Sequence, residues 1–135
     1  MSNNFGNDDL LLSGLIAMAE SGATVGVTLY VNGSVITGEL VSQKNYVKEI
    51  VRSLRSSMEH AFQENSGTIL DALNTVGDMP NGSPKEEGEA VEFEFVHLSR
   101  AQCIQGGNWV PSNGIPWRGK LSAVDGFMVG QMSLD

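Results

Sequence analysis

The chain has 135 residues and a mass of 14.4 kDa, which suits one compact domain, or one domain with a flexible insert. Eight lysines and arginines against sixteen aspartates and glutamates give a net charge of −8, which argues against sequence-independent binding to nucleic acid or to an anionic membrane. No stretch is apolar enough to span a bilayer and no basic region precedes an apolar core at the N-terminus, so we expect a soluble intracellular domain.

The first predicted element is a short helix. Asp8 or Asp9 can cap its start, because a carboxylate oxygen accepts hydrogen bonds from the unpaired backbone N–H groups of a first turn. Gly22 is expected to end the helix, since glycine tolerates the left-handed conformation that follows many helices. Residues spaced three to four apart form one apolar stripe, which predicts a helix packed on a sheet: Leu11, Leu12, Leu15, Ile16 and Ala19.

Residues 25–40 predict a β-hairpin. Apolar residues at positions 25, 27, 29 and 31 alternate with small or polar ones, and Asn32-Gly33 occupies the place of a two-residue turn with positive φ. The implied register places each apolar residue of the first strand opposite an apolar or small residue of the second. The other face, which carries Thr28 and Thr37, is expected to be solvated. Gly38, midway along the second strand, predicts a sharp bend or a bulge.

An amphipathic helix is predicted from Gln43 to about Gln63, with Ser42 as its cap. Its apolar stripe consists of Tyr46, Val47, Ile50, Val51, Leu54, Met58, Ala61 and Phe62. Four cations lie mostly off that stripe and make this the one locally basic part of the chain: Lys44, Lys48, Arg52 and Arg55. Such a helix either binds a membrane or an acidic partner, or simply packs on the domain with a solvated outer face.

Residues 64–89 have the composition of an insert. They hold six carboxylates against one cation, Lys85, and so carry −5 of the total charge of −8. Apolar residues between Ile69 and Val76 suffice for one or two helical turns, and the glycine, proline and glutamate that follow are typical of a linker. We therefore expect a single domain over residues 1–135, with 64–89 a mobile acidic insert between the two halves of one sheet.

The C-terminal part predicts more strand. Strand alternation is seen over 91–97, where Val91, Phe93, Phe95 and His97 alternate with Glu92, Glu94 and Val96. A long loop is expected from Ser99 to Gly114, and Asp125-Gly126 is expected to be the turn of a second hairpin. With the first hairpin this gives about five bent antiparallel strands. The predicted class is α+β, mainly β, with an N-terminal helix and an inserted amphipathic helix.

Residues capable of chemistry are few. Cys103 could pair with His60 or His97 as thiol and imidazole, but no flanking motif supports such a pair, and a single cysteine excludes an internal disulfide. Glu92 and Glu94 share one face of a strand, as the charged positions of any exposed strand do. We expect no catalytic, cofactor-binding or metal-binding residues, and thus no enzyme.

Two segments are similar to the gas vesicle accessory protein family GvpU. Residues 29–38 read L-Y-V-N-G-S-V-I-T-G, and residues 117–130 contain W-R-G-K-L and V-D-G-F before a final glycine, as that family's motifs do. Residues 95–98, F-V-H-L, resemble its F-I-H-L. The positions that carry the resemblance, as structural or interaction residues, are Asn32, Gly33, Gly38, His97, Trp117, Arg118, Gly119, Asp125, Gly126, Phe127 and Gly130.

This resemblance implies a cytoplasmic, vesicle-associated protein with no enzymatic activity and no cofactor. It implies that the chain binds the vesicle shell or other vesicle proteins and influences vesicle assembly or clustering. A homo-oligomer is expected because edge strands invite pairing, and neither nucleic acid nor membrane is expected as a partner.

The order of elements also resembles that of Sm-like small barrels. Residues 32–40 are similar to the first Sm signature and residues 117–119, faintly, to the second. The strands could therefore close into a small barrel, or form a sheet with both helices on one face. An Sm-like RNA-binding module is an alternative function, and it requires Arg118, Lys120 and the helix cations to converge on one face. A small binding or oligomerisation domain is another.

Overall fold

A computed structural model describes residues 9–58, 66–82 and 92–132. The elements, in chain order, are α1 (Leu10–Glu20), β1 (Val25–Val31), β2 (Ser34–Leu40), α2 (Gln43–Met58), α3 (Ser66–Gly77), β3 (Phe95–Gln105), β4 (Asn108–Lys120), a 3₁₀ turn (Leu121–Ala123) and β5 (Val124–Val129). The strands form one antiparallel sheet in the order β4-β3-β2-β1-β5. The predicted α+β class with five strands is confirmed.

Helix α1 begins and ends where the sequence predicts. The side chain of Asp9 accepts hydrogen bonds from the backbone N–H groups of Leu11 and Leu12, and Gly22 follows the helix with φ +112°. The alternative cap, Asp8, lies outside the described residues. Three residues of the predicted stripe are buried against the sheet, and these are Leu12, Ile16 and Ala19.

The hairpin of β1 and β2 has the predicted register, from Val25 opposite Leu40 to Val31 opposite Ser34. Its turn residues Asn32 and Gly33 have φ of 50° and 85°, the left-handed values that a two-residue turn of this type requires. The predicted irregularity at Gly38 is also present, as a shift in the pairing of β2 with β3 between Thr37 and Glu39.

The second face of this hairpin is not solvated, contrary to expectation. Thr28 and Thr37 are buried, with their hydroxyl oxygens 3.0 Å apart. The segment after β5 covers them: the Thr28 hydroxyl donates to the carbonyl oxygen of Gly130, and the N–H of Met132 donates to the Thr37 hydroxyl at 2.8 Å. The prediction of a solvated face is wrong because a segment about a hundred residues later in the chain packs on this face. Local alternation of residue types cannot reveal such a contact.

The long loop predicted after Ser99 is wrong, because β3 and β4 form an extended hairpin. Gly106 and Gly107 are its two-residue turn, with φ of 56° and 84°. Register shifts interrupt the pairing between Leu98 and Ala101 and again before Cys103. These bulges remove the regular alternation by which a strand is recognised, so the sequence did not show that strand structure continues through residues 99–114.

The second predicted hairpin is also wrong. Asp125 and Gly126 lie inside β5, which pairs with β1 so that Gly126 is opposite Tyr30. The chain instead passes from β4 into β5 through the 3₁₀ turn 121–123, and the two strands run in the same direction, because both are opposite to β1. The dipeptide has the composition of a turn, but Asp125 is held by a contact with the distant β1–β2 turn.

The sheet is strongly curved but is not closed into a barrel. Strands β4 and β5 are its two edges, yet only the three residues Leu121–Ala123 join them. The four Cα–Cα steps from Lys120 to Val124 span at most about 14 Å when extended, whereas four strand spacings in a flat sheet amount to about 19 Å. The sheet must therefore curl to bring the end of β4 near the start of β5. Since β4 and β5 do not pair with each other, the strands form an open sheet rather than a closed barrel.

The helices lie on opposite faces of the sheet, so the expectation of both on one face is wrong. Helix α1 packs with Val96 and Leu98 of β3, whereas Tyr46 of α2 contacts His97 between them. Consecutive strand residues point to opposite faces, which separates the two helices.

Helices α2 and α3 share a small core of their own. It contains Val47, Val51 and Leu70, with Tyr46 and Leu73 packed against it. Helix α3 has twelve residues, more than the one or two turns predicted, because packing on α2 supports it. Residues 64, 65 and 83–89 of the predicted mobile insert lie outside the described residues, and its mobility stays a prediction.

Candidate functional site

The family-motif residues lie in two groups, one at the β1–β2 turn and one on β3 and β4. In the first group the backbone N–H of Asn32 donates to Oδ2 of Asp125 at 2.9 Å. This bond ties the turn of the first hairpin to the start of β5 and gives the side chain of Asp125, in the V-D-G motif, a structural role. The N–H of Gly130 donates to the carbonyl oxygen of Gly26 at the other end of the same strand pair, at 2.7 Å. Both contacts are structural.

The second group is built around His97, which is 1% exposed. It lies on β3 directly opposite Arg118 on β4, and Nε of Arg118 donates to Nε2 of His97 at 3.0 Å. The Arg118 guanidinium carbon lies 3.7 Å from the centre of the Phe95 ring, a cation–π contact. The ring of Tyr46 covers the imidazole from α2, with centroids 4.9 Å apart.

The hydrogen bond from Arg118 determines the state of the imidazole. Because Nε2 accepts, the neutral ring carries its proton on Nδ1, and no described residue accepts a hydrogen bond from that atom. Burial, followed by the charge of Arg118, lowers the pKa of His97 from 6.5 to about 4. The ring is therefore neutral at pH 7 and joins α2 to the sheet.

Trp117 and Gly119 belong to the opposite face of β4 and pack on the main core. A Cβ atom at Gly119 would overlap the indole of Trp117, so glycine is required beside that ring. Phe127 packs against the same core opposite Leu29, and the backbone of β3 closes over Gly38, where a Cβ would lie 3.1 Å from Cα of Ala101. These motif positions serve packing.

A polar joint that the sequence did not reveal connects α1, α2 and β3. Asn81 is 5% exposed and bonds to Phe95 twice: it accepts from the backbone N–H at 3.0 Å and donates to the carbonyl oxygen at 2.9 Å. Oε2 of Glu20 accepts from Asn81 and from the backbone N–H of Gln43, and the Gln43 side chain donates to the carbonyl oxygens of Val76 and Met79. Asn81 follows a proline in a segment of linker composition, so no local signal marks it.

Among the described residues, Cys103 and His97 are not brought together. Cys103 packs against the main core, whereas His97 lies on the other face under Tyr46. Glu94 is exposed, and His60 lies outside the described residues. Across the described ranges, no three His, Cys, Asp or Glu residues are grouped so as to hold a metal ion.

The cations named for RNA binding do not converge on one face either. On α2, Tyr46 and Glu49 face the sheet, where Glu49 accepts from the Ser99 hydroxyl at 2.7 Å, and Val47 and Val51 face α3. The four cations occupy the remaining side of the helix, away from the sheet that carries Arg118.

The fold and its motif residues thus define a small α+β domain, a curved five-stranded sheet between α1 and an α2–α3 pair, whose motifs hold the strands and helices together. Among the described helices, none has the length and apolar character needed to cross a membrane. The sequence model of the family described as gas vesicle protein GvpU-like matches residues 8–132, and the chain belongs to that family. No curated protein and no solved structure shows significant similarity to the chain.

Proposed function

We propose that this chain is a non-enzymatic gas vesicle accessory protein of the cytoplasm, which binds the vesicle shell or other vesicle proteins and influences vesicle assembly or clustering. The observation that carries the proposal is the family match over residues 8–132. The motif residues within that match hold the strands and helices of the domain together, which fits a protein that acts by presenting a stable surface.

Binding to vesicles is tested by flotation. Purified vesicles stripped of associated proteins are mixed with the purified chain and floated, and the chain is measured in the floating layer and in the liquid below it. We expect it in the floating layer, in an amount that saturates with added protein. A chain that stays entirely in the liquid below contradicts the proposal, and vesicles collapsed by pressure control for density.

The acidic insert is proposed to tune association between vesicles, since weak contacts at many sites add up across a large particle. The structure defines where a deletion can begin: Asn81 must stay because it bonds to Phe95. We expect a chain lacking residues 84–89 to fold and to float with vesicles, but to change their clustering as seen by light scattering.

A second variant separates charge from length. Replacing Lys85, Glu86, Glu87 and Glu89 by serine keeps the number of residues and removes the net charge of the segment. Clustering that is identical in wild type, deletion and serine variant would reject the role of the insert and leave vesicle binding untouched.

A further inference from the structure

Strand β5 has a free outer edge. The sheet order β4-β3-β2-β1-β5 places β5 at the end of the sheet, and among the described residues no strand pairs with its outer side. After Val129 the chain crosses β1 towards β2, since a Cβ atom at Gly26 would meet Gln131 and the N–H of Met132 donates to the Thr37 hydroxyl. The residues that follow β5, up to Met132, therefore leave this edge uncovered.

The backbone groups that face outwards along this edge follow from the pairing with β1. The N–H of Gly130 donates to the carbonyl oxygen of Gly26 at 2.7 Å, so these two residues form a hydrogen-bonded pair. Bonded and non-bonded pairs alternate along antiparallel strands, which makes the pairs of Phe127 and Val129 with β1 non-bonded ones. The N–H and C=O groups of Phe127 and Val129 therefore point away from β1, where another strand can bond to them.

Exposed apolar side chains lie on the same edge. Val129 is 68% exposed and Met128 is 40% exposed. The one charged residue of β5, Asp125, accepts a hydrogen bond from the N–H of Asn32 in the β1–β2 turn. Lysines and prolines are among the features that keep natural strand edges from pairing, and β5 has neither.

The other edge of the sheet, β4, is protected. It contains Pro111 and Pro116, which have no N–H to offer a neighbouring strand, and the cations Arg118 and Lys120 near its end. Prolines and charged residues of this kind disfavour pairing between edges. The difference between the two edges indicates that β5 is the one that accepts another strand.

We propose that β5 pairs with β5 of a second copy of this chain, in antiparallel orientation, about a two-fold axis between the two Met128 residues. Phe127 then bonds to Val129 of the second copy through both of its backbone groups, and the symmetric pair does the same, which gives about four hydrogen bonds. The same patch is used on both copies, so association closes at the dimer and joins the two sheets into one. The contact is independent of vesicle binding.

The register follows from the outward-facing groups and from the side chains beside them. With the axis at Met128, each Met128 lies against its counterpart and each exposed Val129 lies beside Phe127 of the second copy, so apolar side chains become covered on both faces of the joined sheet. An axis at Phe127 would instead place Val129 opposite Asp125, where the pairing of β5 is irregular. The proposed register brings no two charges of β5 together.

Sedimentation of the purified full-length chain tests self-association. A six-residue strand pair buries less area than a standard interface, so we expect monomers at about 10 μM protein and dimers towards about 1 mM, with nothing larger. The net charge of −8 opposes association, so the dimer should be stronger in about 500 mM NaCl than in about 50 mM. A chain that stays monomeric at about 1 mM protein in high salt overturns the proposal, and so does growth beyond the dimer, whatever the result of vesicle flotation.

Amide hydrogen exchange locates the contact. The N–H groups of Phe127 and Val129 face outwards in the monomer and are bonded in the dimer, so their exchange should slow as the protein concentration rises. The N–H of Met128 is bonded to β1 in both states and is the internal reference. Dimers in which the exchange of Phe127 and Val129 is unchanged reject β5 as the contact.

Substitutions at Met128 test the two-fold axis. Met128→Glu and Met128→Lys each place like charges directly opposite one another across the axis, and we expect each to weaken the dimer about tenfold. An equimolar mixture of the two variants should regain dimers, because opposite charges then face each other.

Ile115 on the β4 edge supplies the matched controls, because it is 57% exposed and Ile115→Glu and Ile115→Lys change the net charge equally. We expect both controls to dimerise as the wild type does, and circular dichroism verifies that all four variants keep the fold. Equal weakening at positions 115 and 128 rejects the two-fold contact. A mixture of the Met128 variants that forms no more dimer than either variant alone rejects it too.

Discussion

His97 is a buried imidazole whose two nitrogens have different surroundings. Nε2 accepts a hydrogen bond from Arg118, and Nδ1 has no acceptor among the described residues. A second proton on the ring would have to bind Nε2. The hydrogen bond from Arg118 would then be lost, and the imidazolium would lie directly against the Arg118 guanidinium. The other groups near the ring are Tyr46 and Phe95, which are uncharged, so no carboxylate contact offsets the added charge.

The stability of the protein should therefore depend on pH through His97. The folded pKa of about 4 lies below 6.5, so the unfolded chain takes up the proton first as the pH falls. The contribution of neutral His97 to the free energy of unfolding is complete above pH 7 and is lost as the pH falls from about 6.5 to about 4. We expect His97 to account for a loss of about 2 kcal/mol in the free energy of unfolding between pH 7.5 and 5, measured by urea denaturation.

The variant His97→Gln provides the control. Glutamine has an amide oxygen that accepts from Arg118 and does not titrate, while the carboxylates of the protein are unchanged. The difference in pH dependence between wild type and variant isolates the imidazole. Parallel curves over this range would show that His97 is not the responsible group.

The elements differ in how far the sequence predicts them, and the reason is the distance between partners. The β1–β2 hairpin is predicted residue by residue because its turn and both alternating strands are contiguous. Strands β3 and β4 are missed after Ser99 because bulges, polar residues and prolines break the alternation. The joint at Asn81 and the pairing of His97 with Arg118 depend on side chains from separate elements, which no local pattern reveals.

Glycine substitutions distinguish β5 from the turn that its sequence suggests. Gly126 lies in a strand without positive φ, and a Cβ there would meet nothing within 4 Å. Gly126→Ala should therefore leave the free energy of unfolding unchanged or raise it by up to about 1 kcal/mol. In a turn with φ above zero the same change would destabilise the protein by roughly that amount. Thermal or urea unfolding of the wild type and the variant measures the sign of this change in the free energy of unfolding.

Gly119→Ala is the companion variant, since its Cβ would overlap the indole of Trp117. The ring has to move within the core, which should cost about 1–3 kcal/mol. If the alanines at 119 and 126 have equal effects on stability, the packing described for β4 is wrong.

At the scale of the whole molecule, the α2–α3 pair has its own core and meets the sheet through a few contacts. Tyr46 lies on His97, Glu49 bonds to Ser99, and Asn81 bonds to the start of β3. Each of these contacts is a polar group or a single ring rather than a broad apolar surface. The pair is therefore the part of the fold whose detachment exposes least apolar surface.

Asn81→Ala should favour that detachment. It removes two hydrogen bonds to the backbone of Phe95 and leaves a buried N–H and C=O unpaired, a cost of about 2 kcal/mol. We expect faster amide hydrogen exchange in α3 and at the start of α2, with β1 and β2 still protected. The exposed Asn45→Ala is the control. Uniform loss of protection throughout the sheet would show that the α2–α3 pair does not open separately.

The pairing of β5 with β1 has a consequence for how the protein is made. Leu29 acquires its neighbour Phe127 only after about a hundred further residues have been synthesised. At 5–20 residues per second, the outer edge of the first hairpin waits on the order of 5–20 s on the ribosome with its backbone groups unpaired. A nascent chain released before β5 is made would keep that edge open and be prone to aggregate.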